Sequence, residues 1–148
     1  MNSTMAQVMA LFHYPKVGEV LLCDFRGYEP PEMIKTRPVV VVAGGLNGRS
    51  TDLVTIIPLS GQANQPPMLY QIPITLSRPL SQKFDKLHVW AKCDMVAVVS
   101  RKRLDRFKIH KVDGGTPQWL SGQISGEQVQ AIRVGIVHGL SLSLDKLG

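Results

Sequence analysis

The sequence predicts a mainly β protein with one α-helix, built as a small, strongly bent antiparallel sheet or barrel that a C-terminal amphipathic helix covers. Three observations carry this expectation. Short apolar segments of β-compatible residues recur along the chain, clusters of glycine, proline and asparagine separate them, and a single run of helical period closes the sequence. The 148 residues read as one domain, 1–148, with residues 1–14 as an N-terminal arm.

The first strand is expected in GEVLLCDF, residues 18–25. RGYEPPEMIKT, 26–36, holds two adjacent prolines and a glycine and must be a loop. RPVVVVA, 37–43, is the second strand: its unbroken valines require burial on both faces, and Pro38 fits near its start, where no ladder donor is lost. GGLNGRS, 44–50, is a turn cluster. DLVTIIPLS, 52–60, is the third strand, with Pro58 marking its end. After the loop 61–67, MLYQIPITL, 68–76, reads as an edge strand because Pro73 interrupts it. Residues 77–86 read as an irregular or partly helical connection, and the stretch 61–86 carries no assigned role. LHVWAKCDMVAVVS, 87–100, is the longest strand candidate, and RKRLDRFKIH, 101–110, is open between helix and strand. At the end Ser125 caps a helix with Gln128 three positions on, a capping-box pattern. Val129, Ile132, Ile136, Val137 and Leu140 then recur on one apolar face.

Composition excludes several classes of function. Apolar residues make up 44% and charged residues 19%, the balance of a globular chain. Seventeen Lys and Arg against 11 Asp and Glu give a net charge of +6, which favours a polyanionic partner such as RNA or DNA without proving one. No apolar run approaches the roughly 18 residues needed to span a bilayer. The N-terminus has no basic residue before Lys16 and is a poor signal peptide, so the protein is expected in the cytoplasm. Cys23 and Cys93 lie in apolar segments without CxxC spacing and read as buried reduced thiols rather than zinc ligands. His13, His88, His110 and His138 are scattered without ligand spacing, so no metal and no cofactor are expected. Phosphate-cradling glycine loops, nucleophile elbows and HExxH motifs are all missing from the sequence.

What remains is a set of polar residues at the ends of apolar strands. Glu32 lies in the proline loop, Arg37 at the mouth of the valine strand and Ser60 at the exit of the third strand. In WAKCDMV, period-two alternation would put Lys92 and Asp94 on one face and Cys93 on the other. By pattern alone that pair reads as a cross-strand ion pair on a solvated face.

Taken in order, GEVLLCDF, a loop glutamate five residues before RPVVVV, then TIIPLS and KCD resemble the MazF/PemK toxins of bacterial toxin–antitoxin systems. The resemblance runs over about residues 15–100, with a looser match through the final helix. It implies an SH3-like barrel of the CcdB/PemK type, a homodimer, and a metal-independent endoribonuclease that cuts single-stranded mRNA. It also implies a cognate acidic antitoxin protein as partner. On this resemblance Arg37 contacts the scissile phosphate, Ser60 stands where threonine is usual and binds a phosphate oxygen, and Asp94 is the base for the ribose 2′-hydroxyl. Glu32 takes part in catalysis or orders its loop. Lys92 replaces an arginine and loses its two-pronged grip, and Pro31 stands where some members have histidine. The RNA-binding set expected around these residues is Lys92, Lys35, Arg101, Lys102 and Arg103.

The basic stretch 100–111 reads equally as a phosphate-tracking patch and as a solvated face. Tyr28 and Trp90 could stack on unpaired bases, although Trp90 reads first as core. Two rival functions stay open: a toxin of the same fold that poisons DNA gyrase by protein contact, in the manner of CcdB, and a catalytically silent RNA-binding relative. The first requires an exposed Trp or apolar patch near the C-terminus.

Overall fold

The computed structural model describes residues 13–44, 52–109, 115–116 and 118–142. Most of the 1–14 arm and of the 44–50 turn, together with His110 and Lys111, lies outside the described residues. The strands are β1 (Glu19–Cys23), β2 (Arg37–Ala43), β3 (Leu53–Ser60), β4 (Gln71–Thr75), β5 (His88–Lys92), β6 (Ala97–Ser100), β7 (Leu104–Asp105), β8 (Phe107–Ile109), β9 (Gln118–Leu120) and β10 (Gly122–Gln123), followed by the helix α1 (Gly126–Gly139). Every strand pairing is antiparallel.

The centre of the fold is the meander β1–β2–β3, and both of its outer strands divide their free edge between two partners. β1 pairs with β10 at Glu19 and Val20 and with β7 at Leu22 and Cys23. β3 pairs with β6 from Leu53 to Ile56 and with β5 at Leu59 and Ser60. A strand that changes partner halfway lets the sheet fork and curl, and a register shift between Val41 and Ala43 adds to the bend. The result is an open, strongly bent sheet with a helix at its end, as the sequence predicts. Pro58 does not end β3, which continues to Ser60. It sits between the two outer partners of β3, where a missing N–H is tolerated. Pro73 lies in β4, which among the described residues pairs only with β5 and is an edge.

Alternation along the meander feeds two cores. Val20, Val40, Ile57 and Leu59 join Ala91, Cys93, Val129 and Ile132 under α1. Leu21, Cys23, Val39, Val41, Val54 and Ile56 join Val99 and Leu104 on the opposite face. Burial on both faces is why the β2 segment is valine throughout. The helix starts with the expected capping box: the Ser125 hydroxyl accepts from the Gln128 N–H at 3.2 Å, and the Gln128 side chain accepts from the Ser125 N–H at 3.1 Å. Val129 and Ile132 of its apolar face are buried, whereas Leu140 is exposed. Gly135 is buried because the helix approaches β4 and the β5–β6 turn closely there.

The long strand expected over 87–100 is two strands separated by a 3-10 turn at Cys93–Met95. The chain must leave the β5 position and rejoin the other half of β3 as β6, and the turn makes that step. The segment 101–109 becomes a 3-10 turn at Arg101–Arg103 followed by β7 and β8. No described helix is long and apolar enough to cross a membrane.

Candidate active site

Arg37 opens β2 and Ser60 closes β3. Because the two strands are antiparallel neighbours, with Val39 opposite Pro58, those ends lie together. Both residues line one cleft of about 210 Å³. Its floor is apolar, from Leu59, Leu80, Phe84 and Val89, and its rim carries Arg37, Ser60, Gly61, Lys83, Asp85 and Lys86. Three cations against one carboxylate make this a place for an anion.

The Arg37 Nε is buried and makes no hydrogen bond among the described residues. An unpaired buried donor costs about 1–3 kcal/mol, so a water or a ligand is expected to meet it. The Ser60 hydroxyl oxygen accepts the Gln62 N–H at 3.2 Å, so its own proton is left to donate. Lys83, Asp85 and Lys86 come from the connection between β4 and β5, which sequence reasoning left without a role. No spacing signal could have linked them to Arg37, because only the pairing of β5 with β3 brings that connection to the cleft.

Asp94 is exposed and does not line the cleft. The 3-10 turn at Cys93–Met95 breaks the alternation that would have set Lys92 and Asp94 on one face, so that expectation is corrected. Ser60 pairs with Trp90, four residues before Asp94, and β5 runs antiparallel to β3, so the chain leads away from the Ser60 end of β3 before it reaches Asp94. Asp94 stands instead beside the helix end: a Cβ on Gly139 would lie 3.0 Å from the Asp94 Cα. Lys92 is half-buried at the end of β5, opposite Gln71.

Glu32 is exposed and folds back on its own loop, its carboxylate accepting the Glu29 N–H at 3.0 Å. That contact lies within the loop and is exposed. Lys35 is exposed and lies outside the cleft lining. Within the basic stretch Arg101 is 3.5 Å from Asp52 and lies over the Tyr14 ring. The Arg103 Nη1 donates to the backbone oxygens of Asp24 at 2.9 Å and Arg26 at 2.8 Å, and its guanidinium lies 5.0 Å from the centre of the Tyr28 ring. Arg101 and Arg103 therefore hold structure together, and Lys102 between them is exposed. Tyr28 packs perpendicular to Phe25 and carries the Arg103 guanidinium over its ring, and Trp90 is half-buried.

A second, more polar pocket of about 270 Å³ lies beside Thr36, with Asp24, Arg26, Lys102, Arg103 and Asp105 on its walls. The Arg26 side chain, donating to Asp24 at 2.7 Å, holds that carboxyl below its usual range, while burial pushes Asp105 up. Cys23, paired with Arg37 across β1 and β2, and Cys93 are free buried thiols that burial pushes up to about 12. No group of three His, Cys, Asp or Glu among the described residues is arranged to hold a metal ion.

The family model for the PemK-like, MazF-like toxin of type II toxin–antitoxin systems matches residues 16–134. The protein YifN of Escherichia coli K12 is 34% identical over 122 residues, 70% of this chain and 80% of that protein. An uncharacterized protein of Haemophilus influenzae is 32% identical over 148 residues, covering 90% and 96%. The fold is similar to a mycobacterial endoribonuclease solved in complex with its cognate antitoxin, at 18% identity and a TM-score of 0.57, covering 87% of this chain and 97% of that one. It is also similar to MazF from Deinococcus radiodurans, at 14% identity and a TM-score of 0.58, covering 88% and 99%.

Proposed function

Because this chain belongs to the PemK-like, MazF-like toxin family of type II toxin–antitoxin systems, we propose that it is a metal-independent endoribonuclease that cuts single-stranded mRNA in the cytoplasm. The observation that carries the reading is the meeting of Arg37 and Ser60 in one cleft, with the Arg37 Nε buried and unpaired.

RNA contains its own nucleophile, so the protein has three tasks. A base takes the proton from the ribose 2′-hydroxyl. The 2′-oxygen then attacks phosphorus and displaces the 5′-oxygen, which takes a proton from solvent as it leaves. The products are a 2′,3′-cyclic phosphate and a 5′-hydroxyl end. Arg37 offsets the charge that builds at phosphorus, and the Ser60 hydroxyl donates to a phosphate oxygen. Preorganised donors of this kind contribute a few kcal/mol each. Arginine is a poor proton donor, so its part is electrostatic.

Two carboxylates compete for the base role, which contributes roughly 10²–10⁴-fold. Family resemblance favours Asp94, and the cleft lining favours Asp85. Asp85→Asn and Asp94→Asn separate them: the substitution that removes cutting while leaving RNA binding intact identifies the base.

The reading includes a homodimer and an acidic antitoxin that covers the cleft; the mycobacterial endoribonuclease solved with its cognate antitoxin supports an antitoxin as partner. The test is incubation with mRNA in EDTA, followed by analysis of the new ends. Cyclic phosphate ends are expected, and Arg37→Ala should remove them without lowering the melting temperature. Undiminished cutting by Arg37→Ala refutes the assignment. The rival gyrase reading draws on Trp119, 41% exposed, and Leu140, 55% exposed. It predicts that Arg37→Ala still arrests growth.

A further inference from the structure

We propose that Lys86 is a substrate-phosphate contact of this cleft, its stem lying across the bare Cα of Gly61; the assignment rests on the endoribonuclease reading. A Cβ built on Gly61 would lie 2.9 Å from the Lys86 Nζ, 3.1 Å from its Cδ and 3.5 Å from its Cε. The lysine stem therefore lies across Gly61, the residue that follows Ser60, and its ammonium is carried to the exit of β3.

Gly61 does not have the positive φ found at Gly18 and Gly27. The backbone does not demand glycine there; the bare Cα leaves room for the Lys86 stem, whose flexible end an added Cβ would displace. Among the described residues Lys86 makes no hydrogen bond or ion pair, although Asp85 is its chain neighbour. Lys83 differs, since its ammonium lies 5.5 Å from the centre of the Phe84 ring.

Three donors thus converge on one cleft from separate parts of the chain: Arg37 from β2, Ser60 from β3 and Lys86 from the β4–β5 connection. Two cations and a hydroxyl suit a phosphodiester oxygen pair. A lysine adds a compact point charge that binds a phosphate without requiring planar alignment, which leaves the oriented contact to Arg37.

The probe is a 2′-O-methyl single-stranded oligoribonucleotide, which cannot be cut, bound to the full chain and followed by anisotropy over a salt series. Losing one phosphate contact lowers the slope of log K against log[salt] by about 0.7 for single strands. Lys86→Gln should show that loss, Lys86→Arg should restore the slope, and Gly61→Ala should reproduce part of the loss by pushing the ammonium aside. Arg133→Gln, an equal charge change on the exposed face of α1, should leave the slope alone. Cleavage of unmodified RNA by Lys86→Gln should show a raised KM. A wild-type slope in Lys86→Gln, or an equal loss in Arg133→Gln, overturns the assignment while the nuclease reading survives. A wild-type protein that neither binds nor cuts RNA overturns both.

Discussion

Gly135→Ala sets two well-characterised effects against each other within α1. Helix propensity favours alanine over glycine by about 1 kcal/mol in a helix interior, so propensity alone predicts a more stable protein. Packing predicts the reverse. The new Cβ would stand 2.7 Å from the Ile72 Cγ1, 2.8 Å from the Cys93 Sγ and 3.1 Å from the Ile72 Cδ1. Cys93 is fully buried and its sulfur has nowhere to go, whereas Ile72 is half-buried and can yield in part. Overpacking of this kind costs about 1–3 kcal/mol. The upper part of that range applies here, so the net expectation is a loss of about 1–2 kcal/mol once the propensity gain of about 1 kcal/mol is counted. For a chain of this size the melting temperature should fall by about 2–8 °C. Urea denaturation should show a lower midpoint at an unchanged m value. Gly126→Ala is the control, since a Cβ there meets nothing within 4 Å and should leave the midpoint unchanged or raise it. In an Ile72→Ala background the cost of Gly135→Ala should shrink, because two of the three close atoms are gone. A midpoint for Gly135→Ala at or above that of the wild type would show that α1 does not lie against β4 and the β5–β6 turn as described.

The thiols give a pH test. Cys23 and Cys93, pushed up to about 12 by burial from an ordinary value of 9.0, stay protonated in the fold. Their contribution to stability is complete below pH 9 and is lost as the pH climbs towards 12, because the unfolded chain ionises first. The urea midpoint should therefore fall above pH 9, and iodoacetamide should label both thiols quickly only once urea unfolds the chain; rapid labelling of the native protein would contradict their burial. Arg103→Ala should speed amide exchange across the 26–36 loop and lower stability by about 1 kcal/mol, since one guanidinium bridges the Asp24 and Arg26 carbonyls. Arg103→Lys should recover part of the loss, since one nitrogen, Nη1, serves both acceptors and an ammonium can do the same, while the planar contact with the Tyr28 ring is lost; no recovery at all would show that the guanidinium plane is what matters.

Local chemistry made much of this protein legible before any coordinates. The valine run defined β2 from Arg37 to Ala43 because a strand buried on both faces has no polar alternation to blur it. Ser125 and Gln128 located the start of α1, and Pro73 marked the edge strand, because capping and a missing N–H act within a few residues. Family resemblance also put Arg37 and Ser60 in one groove, and both line the same cleft. The tertiary structure decided the rest. Strand periodicity could not show that 87–100 breaks at Cys93–Met95, since the break arises where β3 changes partner and α1 presses on the turn through Gly139. Nor could it show that Arg101 and Arg103 are occupied by structural contacts, or that Lys86 lies over Gly61, 25 positions earlier in the chain. Residue spacing encodes the direction of a side chain from its own backbone, but which distant backbone it meets is set by the curl of the whole sheet.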